Sequence, residues 1–217
     1  MAGDMAREAA NGMPGNKRAY RMGKRALTVQ ETRAAILQAA RELLGEPSAR
    51  GISVDDIARK AGVARATVYY QFRTKVGLFT EVVWYVGERA GMDAVLRMRD
   101  EPDPGVALRE YVRNIMQFWE GEELVFRNIV GLASLDADVR EITDAADARR
   151  RDLIATLVQR LRDAGTLRDG IDDEYATNAI WLVTNFASYD QLCRRGKATV
   201  DEAIDMLFAL LDHLVVR

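Results

Sequence analysis

Val63, Val68 and Phe72 are spaced to hold a short helix against a core, which leaves Arg65, Ala66, Thr67, Tyr69, Tyr70 and Gln71 for its other faces. A short helix with a small and polar outer face fits the major groove of DNA, which is about 12 Å wide and admits one helix. Other chemistry is thinly supplied. The chain has one histidine, His213, and one cysteine, Cys193. It has no G-x-S-x-G, no P-loop, no G-x-G-x-x-G and no Cys/His cluster, so no enzyme activity, metal or cofactor is expected.

The elements that must present this helix can be read outward from it. Ala61-Gly62-Val63 breaks the preceding segment, and Gly62 suits the left-handed residue of a sharp turn. Before the turn, Ser53 and Asp56 open a helix whose Val54, Ile57 and Ala58 face inward. Two short helices joined by a glycine turn make a helix-turn-helix. A first helix is expected from Thr28, with Glu31 at capping-box spacing, and it carries Ile36, Leu37, Ala40 and Leu44 on one stripe. A long fourth helix is expected from Thr74 to about Arg99, with Gly77 loosening its start.

At this point the residues resemble a known family. Thr32–Leu44 (TRAAILQAARELL), Ile52-Ser53-Val54, Asp56-Ile57-Ala58, Ala61-Gly62-Val63, Thr67-Val68-Tyr69-Tyr70, Phe72, Lys75 and Leu78-Phe79 follow in register. Together they resemble the DNA-binding domain of the tetracycline-repressor (TetR/AcrR) family over residues 28–80, about a quarter of the chain. The resemblance implies that Ser53 holds a phosphate at a helix N-terminus, with the amides and dipole assisting. It implies that Arg65, Ala66 and Thr67 meet base edges, and that Tyr70, Gln71 and Lys75 meet phosphates. Tyr69 stands between backbone contact and packing. Ala64 departs from the family pattern, in which a serine there can cap the helix and touch a phosphate.

Charge divides the chain in the same sense. Residues 1–100 hold 17 Lys/Arg against 11 Asp/Glu, whereas residues 101–217 hold 14 against 22. A basic front and an acidic back confine nucleic-acid contact to the front. Residues 1–26 read as a flexible basic arm in which Lys24 and Arg25 lie close to where DNA would run. Residues 27–75 read as the helix-turn-helix domain, and 76–217 as an effector-binding and dimerisation domain.

The second half is rich in large apolar groups at helical spacing. Tyr111, Phe118, Trp119, Phe126, Trp181, Asn185 and Tyr189 are the expected ligand-binding residues, with Gln117, Asn128 and Thr184 as further polar candidates. The last two helices carry apolar residues on more than one side, Met206 and Leu210 lying off the stripe of Leu207 and Leu211. A helix of that kind can face its own domain and a symmetry mate.

The expected fold is all-α with about nine helices. The expected function is a ligand-responsive repressor that binds palindromic operator DNA as a homodimer. The competing reading is a helical interaction protein that keeps the fold without specific DNA binding. A lone cysteine and a front end without a signal peptide's apolar stretch point to the cytoplasm, and no apolar run approaches the roughly 18 residues of a membrane span.

Overall fold

The computed structural model describes residues 15–47 and 52–216, with side chains from residue 28 onward. Among the described residues the chain is all-α. Its helices are α1 (Gly15–Leu44), α2 (Val54–Ala61), α3 (Arg65–Phe72), α4 (Lys75–Arg89), α5 (Met92–Leu96), α6 (Pro104–Gly121), α7 (Glu123–Ala133), α8 (Ala137–Asp163), α9 (Asp173–Val183), α10 (Phe186–Tyr189) and α11 (Val200–Leu214). A 3-10 turn follows α5 at Arg97–Arg99, and a π-helical turn follows α10 at Asp190–Arg195. No described helix is long and apolar enough to cross a membrane.

Eleven helices stand where about nine were expected, because two segments read as continuous are broken. The long fourth helix stops at Arg89, and Gly91 takes a left-handed φ of 94° before α5. The helix expected over residues 172–195 breaks at Thr184, and Asn185 caps α10 through its side-chain oxygen. The first helix also differs: it begins at Gly15, so Thr28 lies inside it rather than at its cap. Residues 15–27 are mostly Ala, Arg, Lys, Met and Leu, which favour helix, and one internal glycine costs only about 1 kcal/mol. Residues 1–14 of the basic arm lie outside the described residues.

The α2 caps fall where the sequence places them, and the structure adds others. Ser53 and Asp56 form a reciprocal capping box on α2, and Gly62 ends that helix at φ 69°. Asp103 caps α6 with Pro104 at its first position, Asp136 caps α8, Asp172 caps α9, and Thr199 forms a capping box with Glu202 on α11. Each side-chain oxygen satisfies amides that the first turn leaves without partners.

The core is continuous from one end to the other. Ile36, Ala40 and Leu44 of α1, Ile57 of α2, Val68 and Phe72 of α3, and Leu78 and Val82 of α4 bury one another. Behind them α6 contributes Tyr111, Val112, Ile115 and Met116, α8 contributes Ile154, Leu157 and Leu161, and α11 contributes Leu207 and Leu211. Each fully buried Leu or Ile stabilises the fold by about 1.5–3 kcal/mol.

Polar bonds also join the two ends. Glu122, buried, accepts from Arg41 Nε at 2.7 Å and lies 3.7 Å from Arg89. Asn128 of α7 donates to the carbonyls of Leu44 and Glu46 at 2.6 and 3.0 Å. That commitment removes Asn128 from the ligand candidates, and Gln117 points to solvent.

The joint between α3 and α4 has no slack. Arg73 sits at φ 65° and ψ −49°, and the Thr74 amide donates to the Phe72 carbonyl at 2.8 Å. This is the geometry of a γ-turn, rare for a residue with a side chain. Thr74 then caps α4 by accepting from the Gly77 amide at 2.9 Å. A Cβ on Gly77 would lie 2.4 Å from the Phe72 carbonyl oxygen. Gly77 is therefore a close-approach glycine, and the expected looseness at the start of α4 is corrected to tight packing. Gly77→Ala should lower the melting temperature, because an overpacking cost of about 1–3 kcal/mol outweighs the gain of about 1 kcal/mol in helix propensity. Thermal denaturation by circular dichroism checks the sign.

Candidate functional site

Val68 and Phe72 fix α3 to the core, so the rest of its surface is determined by the 3.6-residue period. Arg65 and Ala66 are exposed, Tyr70 is 78% exposed, and Thr67 is half-buried beside them. Arg33 of α1 clasps the far end of the helix. Its guanidinium donates to the Gln71 carbonyl at 3.1 Å, lies 4.4 Å from the Phe72 ring centroid and pairs with Glu81 of α4 at 2.8 Å. The outward face of α3 is thus carried on a rigid three-helix base. Ala64 precedes it without a side-chain cap.

Arg65, Tyr69 and Gln71 of α3 already have partners within the chain. Arg65 donates to Asp55 of α2 at 2.5 Å and reaches the Tyr69 hydroxyl at 3.4 Å, with its guanidinium 5.5 Å from the Tyr69 ring centroid. The Tyr69 hydrogen bond and the nearby Asp55 carboxylate hold the Arg65 pKa above its already high ordinary value. Tyr69 is half-buried, so its ring packs while its hydroxyl steers Arg65. The Gln71 amide donates to the Val29 carbonyl at 3.3 Å. Ser53 donates to Asp56 at 2.5 Å while accepting the Asp56 amide at 3.1 Å. That hydrogen bond holds the Asp56 carboxyl below the usual range. Tyr70 is the most open member. Lys24 and Arg25 fall on the part of α1 whose side chains lie outside the described residues.

Lys75 pairs outside the helix-turn-helix. Its ammonium donates to Asp136 Oδ2 at 2.5 Å, while Asp136 Oδ1 accepts the Asp138 and Val139 amides at the start of α8. The Lys75 hydrogen bond holds the Asp136 carboxyl below the usual aspartate range. A lowered folded pKa gives a contribution that is present above the unfolded value and lost as pH falls through the folded one. The pair therefore persists from neutrality down to about pH 4, and acidification to pH 5 does not release Lys75.

The expected ligand residues fall into two linked groups. Phe118, Trp119 and Phe126 meet with centroids 4.8–4.9 Å apart. Phe186 extends the group at 5.6 Å from Trp119, and Tyr189 follows at 5.8 Å from Phe186. Tyr189 is fully buried, and burial pushes its phenol pKa up to about 12. The other group centres on Arg150 of α8, which touches Tyr111, Thr184 and Trp181. Thr184 joins the groups, since its carbonyl accepts the Trp119 indole N–H at 2.9 Å. Asn185 is spent on capping α10.

Arg150 was not among the sequence candidates. It sits in the run Arg149-Arg150-Arg151, which resembles a solvated face. Yet it lies three, four and seven positions before Leu153, Ile154 and Leu157, on the buried stripe of α8. That spacing was the available signal. In the acidic Glu120–Glu123 stretch, by contrast, two members are taken up by arginines: Glu122 by Arg41, and Glu123 by Arg127 and Arg194. Among the described residues no group of acids, His and Cys is arranged to hold a metal.

The family described as bacterial regulatory proteins, tetR family, matches residues 36–82. The HTH-type transcriptional regulator AcrR of Shigella flexneri is 31% identical over 96 residues, 43% of this chain and 44% of that protein. The chain thus spans less than half the length of that relative. YdeS of Bacillus subtilis, an uncharacterized HTH-type transcriptional regulator, is 28% identical over 159 residues, 69% of this chain and 74% of that protein. Among solved structures, NalD of Pseudomonas aeruginosa, a secondary repressor of a multidrug efflux pump, has a TM-score of 0.69 at 25% identity, covering 88% of this chain and 98% of its own. A TetR transcription regulator of Haloarcula marismortui has the same fold, with a TM-score of 0.69 at 17% identity over 86% of this chain and 99% of its own.

Two substitutions test whether the ion pairs on this face compete with DNA. Asp55→Asn removes the carboxylate that holds Arg65 and should raise affinity for DNA of arbitrary sequence severalfold, lowering discrimination. Asp136→Asn keeps a capping oxygen but frees Lys75, and should steepen the salt dependence of binding by about one counterion. Fluorescence anisotropy at several salt concentrations reads both.

Proposed function

Because the chain belongs to the tetR family of bacterial regulatory proteins, we propose that it is a transcriptional repressor. It binds palindromic operator DNA as a homodimer and is released by a small apolar or amphipathic effector. The observation that carries the reading is the outer face of α3: Arg65, Ala66 and Tyr70 stand exposed on a helix whose other side is locked to α1 and α4. Arg65, Ala66 and Thr67 read bases in the major groove, while Ser53, Tyr70, Gln71 and Lys75 meet phosphates. Lys24 and Arg25 precede this unit and add backbone contacts. Residues 27–75 form the reading head, and 76–217 bind the effector and the second subunit. The likeness to NalD, a repressor, supports the sign of regulation.

One helix-turn-helix reads only half a site, so the reading needs a symmetric partner. The surface supports one. Leu207 and Leu211 are buried in the chain's own core, whereas Met206 and Leu210 on α11 and Tyr175 and Leu182 on α9 are 42–59% exposed. These two helices pack against each other, so their exposed apolar groups suit a four-helix contact between two copies. Two recognition helices in successive major grooves then stand about 34 Å apart.

Selection of oligonucleotides by the full chain, with its own upstream DNA included, should recover an inverted repeat. Arg65→Ala should lower affinity about tenfold and relax preference at one base pair per half-site. Leu210→Glu should weaken self-association and operator binding together, read by light scattering and anisotropy. A monomeric Leu210→Glu protein that still binds operator at full affinity would rule out the dimer. Unchanged sequence preference in Arg65→Ala would remove α3 from the groove.

A further inference from the structure

We propose that Arg150 is the anchor for a carboxylate, and hence that the effector is an organic acid with an aromatic or aliphatic body. The inference rests on the effector reading above and names the chemical class of the ligand.

Arg150 is nine-tenths buried. A guanidinium in that position ordinarily has a carboxylate fork at about 2.7–2.9 Å. Here every partner is longer. Asp147, itself half exposed, offers one oxygen to Nε at 3.2 Å and to Nη2 at 3.1 Å. Nη1 has only neutral acceptors: the Tyr111 hydroxyl at 3.3 Å, Thr184 Oγ1 at 3.2 Å and the Trp181 carbonyl at 3.5 Å. The cation is paired only at its half-exposed edge, by Asp147, while its inner nitrogen meets neutral acceptors alone.

The neighbouring groups are also short of acceptors. Thr184 spends its hydroxyl proton on the Ile180 carbonyl at 2.6 Å, so the Tyr111 hydroxyl is the donor in their 3.4 Å contact. The Trp181 ring, 5.7 Å from the guanidinium carbon, carries a buried indole N–H with no hydrogen-bond partner. A buried donor without an acceptor is costly, and a native structure rarely leaves one. Guanidinium, phenol and indole are all donors, and a carboxylate accepts from such a set. An amine would face the cation, and an alcohol would bring no charge to its inner edge. The adjoining rings of Trp119, Phe126 and Phe186 suit the apolar body. The helix break at Thr184 lies at this cluster.

The test uses the full-length protein and three acids, benzoate, 4-phenylbutyrate and decanoate, each against the amide of the same skeleton. Calorimetry should show at least one acid binding about tenfold or more tightly than its amide. Arg150→Met should erase that preference, and Arg150→Lys should keep part of it. Asp147→Asn removes the competing carboxylate at the half-exposed edge. It should tighten the acid severalfold and leave the amide unchanged, which decides the matter even if Arg150→Met does not fold. No binding of any of the three acids at millimolar concentration, equal binding of acid and amide, or an unchanged preference in Arg150→Met would overturn the assignment. Operator binding is measured on the same samples. Intact operator binding without acid preference removes the anchor alone, whereas failure of every DNA selection removes the regulator reading itself.

Discussion

The rigidity of the turn between α3 and α4 is the constraint on which the rest depends. The Phe72 carbonyl accepts the Thr74 amide across a γ-turn, and the Gly77 backbone passes so close to it that no Cβ fits. Arg33 adds a side-chain clasp between the end of α3 and Glu81 of α4. A recognition helix held this way cannot swing independently of α4. It moves only when α4 moves, and α4 is packed into the remainder of the chain. This is a mechanical condition for regulation, since a flexible joint would absorb any displacement before it reached DNA.

Two rods then connect the interior cluster with the reading head. α4 begins at the joint and ends where a Cβ added to Gly87 would lie 4.0 Å from Phe118, a member of the aromatic group. α8 begins with Asp136, which holds Lys75, and carries Arg150 fourteen residues on, about 21 Å along the axis at 1.5 Å per residue. The two rods pack on one another. Under the proposed function, a ligand that shifted either one would be felt at the start of α4, where Lys75 is shared. Typical couplings of about 1–3 kcal/mol would suffice for a 5–150-fold change in the proposed operator affinity, and by linkage operator would then weaken the ligand equally.

What the sequence revealed follows from how local each signal is. The helix-turn-helix was legible because its caps, its glycine turn and its apolar spacing all lie within a few residues of one another, and the structure reproduces Ser53, Asp56, Gly62 and Phe72 in those places. The breaks at Gly91 and Thr184 were not, because apolar periodicity runs through both and tertiary packing decides. Gly77 was misread for a related reason: a glycine near a helix start looks neutral until the carbonyl that crowds it is known. Arg150 was hidden by composition, since its two arginine neighbours suggested a solvated run while its spacing placed it on the buried stripe. The aromatic group was legible as a set, but its division around Thr184 required the helix break.

The self-pairing of the reading face bears on specificity. Arg65 is held by Asp55 and Tyr69, Gln71 by Val29, Lys75 by Asp136, and Ser53 by Asp56. Nonspecific DNA offers only phosphates, and to gain Lys75 it must displace a carboxylate that the low Asp136 pKa keeps charged throughout the physiological range. A cognate site offers base edges as well, so it compensates the broken pairs more fully. Under the proposed function, the acidic residues beside the α3 surface would penalise every sequence, while base contacts would reward one. Discrimination rests on that difference, not on the total strength of binding.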